Sequence, residues 1–538
     1  MKNRIEQAIK KAVVALGAGE AIFVVERPRD LSHGDYATNA ALVAKIDPHE
    51  LARKLMIEGV ERVEVAGKFI NFFLSREALM PKPPEIPQVY AGKTILLEYT
   101  SPNLFKPLHI GNLIGNILGE SLARLFEKTG AQVKRLNYPS DIGLTVAKGV
   151  WGLWKFKLDG DDIAQLGRAY AAGNEAYENG SAKEEIDAVN KALYENSNPE
   201  WSELRRVGIE TSLKHLDELC GRLGTKFDHE FFESESGPVG AELVRTNIGR
   251  IFEESEGAVV YRGAHTRVFL NSAGLPTYEA KELGLFKLKH GAYPGFDVSI
   301  TVTGSEQKEF FAVVFDAIKK VFSDAQVKEL RHIANGFLKL TTGKMSSRLG
   351  NVVTGESLLE NLTKAARGRE DVAVGAIKYA VLKQGSGRDI IFDPEKSLSL
   401  EGDSGPYLQY ALVRARSLLR EAAKVGIGRA ADGRRSGPLG QILPPASSPP
   451  SPLPTAALPL ERVLVHFPDV VERAAKELEP HYVTTYLTEL AAAFNSWYAS
   501  NRVIGGGNPA YGVLLTQIVE QTLARGLHLL GIPTPEKM

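Results

Sequence analysis

The chain has 538 residues, 43 % hydrophobic and 24 % charged, the balance of an ordinary globular protein of three or four domains. No apolar run approaches the ~20 residues that cross a bilayer, and the charged N-terminus lacks a signal-peptide core, so no membrane association and a cytoplasmic location are expected. The single Cys220 rules out an internal disulfide and a thiolate zinc site, whereas 65 basic against 65 acidic residues neither supports nor excludes a nucleic-acid partner, which needs only a local basic surface.

Residues 1–88 read as a separate small α/β module. Ile5, Ile9, Val13, Val14 and Leu16 recur at helical spacing. The sequence predicts a strand over 22–25, a loop over 28–35, helices over 37–45 and 48–56, and strands over 63–65 and 69–74. A proline-rich linker over 81–87 follows. The module shows no catalytic constellation, and His33 and Asp35 fit a loop held by local hydrogen bonds.

The stretch 94–136 reads as strand, polar loop, helix, strand, which is one parallel βαβ unit. The loop carries Lys106, Pro107 and His109, and the helix begins near Gly111 and Asn112. Free backbone N–H groups and the positive dipole end therefore face the carboxyl edge of the sheet. His109 and Asn112 can donate to a phosphate, Lys106 adds a charge, and Gly111 lets a ligand approach the backbone. That equipment suits a nucleoside triphosphate.

Asp141 follows a second strand and is expected to face the same side as His109. Residues 151–252 are charged and mostly helical, an insertion between the halves of the sheet. Residues 259–270 predict a hairpin turning near Arg262 and Gly263. Tyr278 and Glu282 then share a helical face, where a phenol and a carboxylate suit a planar guanidinium. A strand over 297–303 and an amphipathic helix repeat the earlier plan, with Ser305, Glu306 and Gln307 between them. The loop TTGKMSSRLGN is small, polar and bracketed by glycines, so it can close over a ligand, and Lys344 and Arg348 can neutralise a leaving pyrophosphate. Helices fill 357–384 and the C-terminal region from 404 onward. The stretch of Pro, Gly and Ser over about 425–456 cannot bury a core and is expected to be a disordered insertion within one helical domain.

Leu108-His109-Ile110-Gly111-Asn112 resembles the HIGH signature of class I aminoacyl-tRNA synthetases, and Lys344-Met345-Ser346-Ser347-Arg348 resembles their KMSKS signature. The wider SPNLFKPLHIGN is similar to the arginyl-tRNA synthetase form. The resemblance implies a Rossmann-like parallel-sheet catalytic domain (89–384) with a small N-terminal α/β domain (1–88) and a C-terminal all-α bundle that reads the anticodon (385–538). It implies that arginine and ATP form arginyl-adenylate, usually only with tRNA present, and that the arginyl group then passes to the tRNA. His109, Asn112, Lys106 and Lys344 would serve catalysis, with Gly111, Met345, Ser346 and Ser347 also on ATP. Ser101, Asn103, Tyr278, Glu282 and Gln307 would bind arginine. Asp141 resembles the Asp of the family's D-x-G motif. Phe69 and Asn71 would contact the tRNA elbow, and Trp497 and Tyr498, with Tyr486 and Asn495 beside them, are candidates for stacking on anticodon bases. Mg2+ would travel with ATP, no structural zinc is expected, and the chain would act as a monomer.

Three departures stand out. Asn112 replaces the second His of HIGH, Ser347 replaces the last lysine of KMSKS, and Glu282 stands where the family has Asp. Lys106 occupies the position of the lysine thought to compensate in arginyl enzymes that lack the KMSKS lysine. Two other readings stay open on the sequence: a tRNA-binding paralogue without catalysis, and a class I synthetase or nucleotidyl transferase acting on a different acid.

Overall fold

The computed structural model describes residues 1–28, 30–323, 326–341, 354–427 and 458–538. The Lys344 loop and most of the predicted Pro/Gly/Ser-rich insertion lie outside the described residues.

The N-terminal residues form an antiparallel sheet in the order Val25–Glu26, Tyr36–Thr38, Phe69–Leu74, Val60–Ala66, packed on the helix Lys2–Ala15. Two expectations change here. The first strand is displaced to Val25–Glu26, and Ile22 is 95 % exposed. The helix predicted from residue 37 is preceded by a strand instead, because Tyr36 and Thr38 pair with Phe72 and Ile70 and bury on one face. The helix Ala40–Ala44 starts only afterwards, with the Ala40 N–H donating to Thr38 Oγ1. Ladder pairing overrides the helix propensity of the alanines.

The central sheet is built from β1 (Thr94–Glu98), then α1 (Ile110–Lys128) and β2 (Gln132–Asn137). The helices α2 (Leu144–Phe156), α3 (Ile163–Glu178), α4 (Lys183–Glu195) and α5 (Pro199–Arg222) follow. The chain then returns as β3 (His229–Glu230), α6 (Glu233–Arg245), the antiparallel hairpin Ala258–Arg262 with Thr266–Leu270, and α7 (Tyr278–Ala292). It closes with β4 (Val298–Gly304), α8 (Lys308–Val321) and β5 (Glu329–Asn335). All five strands are parallel, in the order β5-β4-β1-β2-β3. The order reverses direction at β1, so a crevice opens beyond the carboxyl ends of β1 and β4.

Two strands of the central sheet went unseen in the sequence. β3 lies inside the predicted helical insertion and pairs by only two residues, Leu136 with His229 and Asn137 with Glu230. β5 carries Glu329, Arg331 and His332 and forms an edge of the sheet, where one side of the ladder needs no partner.

One apolar core runs from Ile95, Leu97 and α1 through the helix Glu370–Leu382 into the C-terminal helices Gly405–Lys424, His481–Ser500 and Pro509–Leu529. The central sheet and the C-terminal helices are thus packed directly on each other. The N-terminal module docks on the bundle through charged contacts: Arg27 with Glu489, Arg462 with Asp35, Arg76 with Glu461, and the Tyr36 hydroxyl donating to Asp469. Among the described residues no helix is long and apolar enough to cross a membrane.

Candidate functional site

A cleft of about 1270 Å³ opens at the crevice beyond β1 and β4. Its walls come from the carboxyl ends of four strands: Thr100 and Ser101 after β1, Tyr138 and Ser140 after β2, Thr303 and Gly304 on β4, and Asn335 on β5. Ser101, Asn103, Lys106, His109, Gly111, Asn112, Tyr278, Glu282 and Gln307, nine residues singled out in the sequence, all line it. They come from three separate stretches, 101–112, 278–282 and 307, and the parallel topology brings them to one edge.

The loop from β1 to α1 is conformationally forced. Thr100, Ser101 and Phe105 adopt φ of 78°, 40° and 68°, values that non-glycine residues rarely take. Such strain persists only where the surroundings hold it, and it gathers at functional sites. The Phe105 ring is clamped: a Cβ on Gly149 would lie 2.5 Å from it, and one on Gly208 2.3 Å. Asn103 bridges to Ser140, which ties the loop to the end of β2. The Ser101 hydroxyl is buried without a hydrogen-bond partner, in a wall of the cleft. A buried hydroxyl left unmatched calls for an outside donor or acceptor.

At the start of α1, His109 Nδ1 accepts the Gly111 N–H at 3.1 Å and caps the helix. The neutral ring then carries its proton on Nε2, which is left as a donor. Asn112 turns inward, and its amide donates to the Thr100 carbonyl at 2.8 Å. Asn116 donates to the Thr100 hydroxyl at 3.0 Å. Asn112 therefore braces the strained loop, a job the sequence did not reveal.

The other end of the cleft is acidic. Glu98 pairs with Lys289, Glu233 with Lys281, and Glu279 approaches Arg267 at 3.9 Å. Among the described residues Glu282 makes no ion pair and no hydrogen bond. Burial, and then the charge of Glu98, push its carboxyl up to about 8. Tyr278, one helical turn away on α7, is 60 % exposed. A carboxyl group without a close partner, beside a phenol on the wall of the cleft, can seat a cation. Among the described residues no cluster of His, Cys, Asp and Glu is arranged to hold a metal ion.

Asp141 departs from expectation. It stands four residues beyond β2 and does not line the cleft. Its carboxylate takes Arg205 of α5 at 2.5 Å, the Ser234 N–H at 2.9 Å and the Ser234 hydroxyl at 2.6 Å. It pins the loop after β2 to α5 and α6. Asp141→Ala should lower the unfolding temperature by on the order of 5 °C, since the Arg205 charge is left without its partner; a thermal melt beside the unchanged protein reads this directly.

α3 was not foreseen as part of the site. Gly167, Tyr170, Ala171 and Asn174 line the cleft at the spacing of one helical face. Small and polar residues at that spacing were the available signal.

Outside the cleft, Phe69 is 47 % exposed at the start of its strand, and Asn71, on the same face, is 5 % exposed. Trp497 and Tyr498 are half-buried near the end of His481–Ser500, with Arg414 lying 4.7 Å over the Tyr498 ring. Arg414 also donates to Asn495, whose amide donates to the Tyr407 hydroxyl. Tyr486 is buried and its hydroxyl donates to the Val463 carbonyl, so it is a core residue and cannot stack on a base.

Comparison with known proteins agrees along the chain. Residues 1–74 match the arginyl tRNA synthetase N terminal domain, 76–371 the tRNA synthetases class I (R) catalytic domain, and 408–538 the DALR anticodon binding domain. The arginine–tRNA ligase of Clostridium perfringens is 30 % identical over 96 % of both chains. That of Treponema pallidum is 28 % identical over 96 % of this chain and 95 % of its own. The solved arginyl-tRNA synthetase of Thermus thermophilus superposes with a TM-score of 0.80 at 28 % identity, each chain being covered in full.

Proposed function

The chain belongs to the class I arginyl-tRNA synthetases, enzymes that join arginine to tRNA at the expense of ATP, and from that premise we propose how its own residues divide the work. The observation that carries the reading is the unpaired Glu282 on the wall of the cleft, beside Tyr278.

The guanidinium of arginine sits against Glu282 and Tyr278, and the α-amino and carboxylate groups lie toward Ser101 and Asn103, with Gln307 on the side of β4. The nucleotide lies along the start of α1, where His109 Nε2 and the positive end of the helix dipole meet its phosphates. Lys106 supplies the nearby positive charge. Lys344, Met345, Ser346 and Ser347 are the further residues assigned to ATP. A carboxylate oxygen of arginine attacks the α-phosphorus, the bond to the bridging oxygen breaks, and pyrophosphate leaves. The tRNA terminal hydroxyl then attacks the acyl carbon and AMP departs. No covalent enzyme intermediate is needed, so catalysis is positioning and charge stabilisation. Mg2+ rides on the phosphates of ATP.

Residues 1–88 hold the tRNA elbow, 89–384 carry the chemistry and 385–538 read the anticodon. In this reading the chain acts as a monomer in the cytoplasm. Phe69 offers an exposed ring for a base, and Phe69→Ala should weaken tRNA binding about tenfold while leaving the KM for arginine unchanged, as filter binding and steady-state kinetics would show.

Charging of tRNA with labelled arginine tests the reading. Arginine should be accepted and citrulline, its uncharged isostere, rejected. Equal acceptance of the two would remove the role given to Glu282.

A further inference from the structure

Lys106 is half-buried at the edge of the cleft, and among the described residues no carboxylate pairs with it. Its ammonium instead lies 5.5 Å from the centre of the Tyr170 ring, on the cleft-facing side of α3. A cation over an aromatic face is held by the ring quadrupole without being neutralised. Burial and the charge of Lys148 both press the Lys106 ammonium below the ordinary lysine value.

The helix that carries Tyr170 is fixed in place. A Cβ on Gly152 of α2 would lie 2.1 Å from the Ala169 carbonyl oxygen, and one on Gly173 of α3 would lie 2.1 Å from the Lys148 carbonyl oxygen. Glycines at both contacts let α2 and α3 approach at backbone distance. Across the same contact Lys148, itself buried, donates to Asn174 at 2.9 Å and Glu178 at 3.1 Å, and lies 4.4 Å from the Tyr177 ring. Lys148 is thereby held on α3 with Glu178 as its carboxylate partner, while among the described residues Lys106 is left without one. On its other side Lys106 follows the clamped Phe105, whose N–H donates to Ser212.

We propose that Tyr170 is a positioning residue for the activation step: its ring keeps the Lys106 ammonium at the cleft, unneutralised, ready to meet the phosphates of ATP. A carboxylate in that place would hold Lys106 more firmly and cancel its charge. The ring holds it loosely enough to be given up to a phosphate. The inserted helices thus do more than enlarge the domain; one of them sets where the charge of the signature loop stands. The inference rests on the role given to Lys106 above.

The test is a cycle of full-length variants in arginine-dependent pyrophosphate exchange with ATP and tRNA: Lys106→Ala, Tyr170→Leu, and both together. Tyr170→Leu should lower kcat by roughly tenfold with the KM for arginine unchanged, and Tyr170→Phe, which keeps the ring, should restore the rate. In the Lys106→Ala background Tyr170→Leu should cost nothing further. An equal loss in that background, or a rise in the KM for arginine, would overturn the proposal. No effect of Lys106→Ala itself would instead overturn the reading of Lys106. Stepwise fluorination of phenylalanine at 170 adds a readout that packing alone does not move. The rate should fall with each fluorine as the ring face loses negative potential, and a flat series contradicts the cation–π contact.

Discussion

Glu282→Gln is expected to lower kcat/KM for arginine by about a thousandfold, because it leaves a desolvated guanidinium without its counter-charge. Glu98 is committed to Lys289 and Glu233 to Lys281. The same crowding makes the effect depend on pH. Burial and the charge of Glu98 raise the Glu282 carboxyl to about 8, so at neutral pH the empty pocket holds a proton that arginine must displace. The KM for arginine should therefore fall about tenfold per pH unit as pH rises toward 8 and level off above it, and Glu282→Gln should abolish that slope.

Stability carries the opposite sign. The carboxyl binds its proton more tightly in the folded state than in the unfolded chain, so between 4.5 and about 8 the folded state holds a proton that the unfolded chain has released. The empty protein loses stability as pH rises through that window. Glu282→Gln should thus raise the melting temperature of the arginine-free protein at neutral pH while cancelling the rise that arginine brings. A variant more stable and less active separates a binding carboxylate from a structural one.

The second large effect falls on His109. Its Nδ1 is occupied by the Gly111 N–H, so the ring is aimed with Nε2 as the donor. That donor is preorganised by a helix cap and needs no rearrangement as charge develops on the phosphates. His109→Ala should lower kcat by about two to three orders of magnitude in pyrophosphate exchange, with little change in the KM for arginine. His109→Asn can still cap the helix through its side-chain oxygen, and should retain the fold while losing most of the rate. A His109→Ala protein that exchanges at the original rate would place the phosphates elsewhere.

Much of the cleft was legible because its signals are local. The β1–α1 loop announces itself by an apolar strand, a proline stop and a helix start within a few residues. Tyr278 and Glu282 share a face by simple helical spacing. The antiparallel hairpin and the strand Phe69–Leu74 follow from alternation.

What was hidden depends on partners distant in sequence. Asp141 reads as a cleft residue by motif, yet Arg205 and Ser234 claim it, and no local pattern announces either. Asn112 lines the cleft as a phosphate donor would, and its amide also braces the strained Thr100 carbonyl, a contact that no local pattern announces. β3 is too short to leave a period, and the charged side chains of β5 mask its own. Tyr170 sits in the run GRAYAAGN, whose cleft-facing side is not apolar, so periodicity alone gives it no address.

Exchange of labelled pyrophosphate into ATP, run with cognate tRNA and with arginine, citrulline or no amino acid, tests the central claim most directly. Exchange with arginine alone among these would show a working activation site whose selectivity lies in the charge held by Glu282. No exchange with arginine while tRNA still binds, or exchange as rapid with citrulline, would contradict the account.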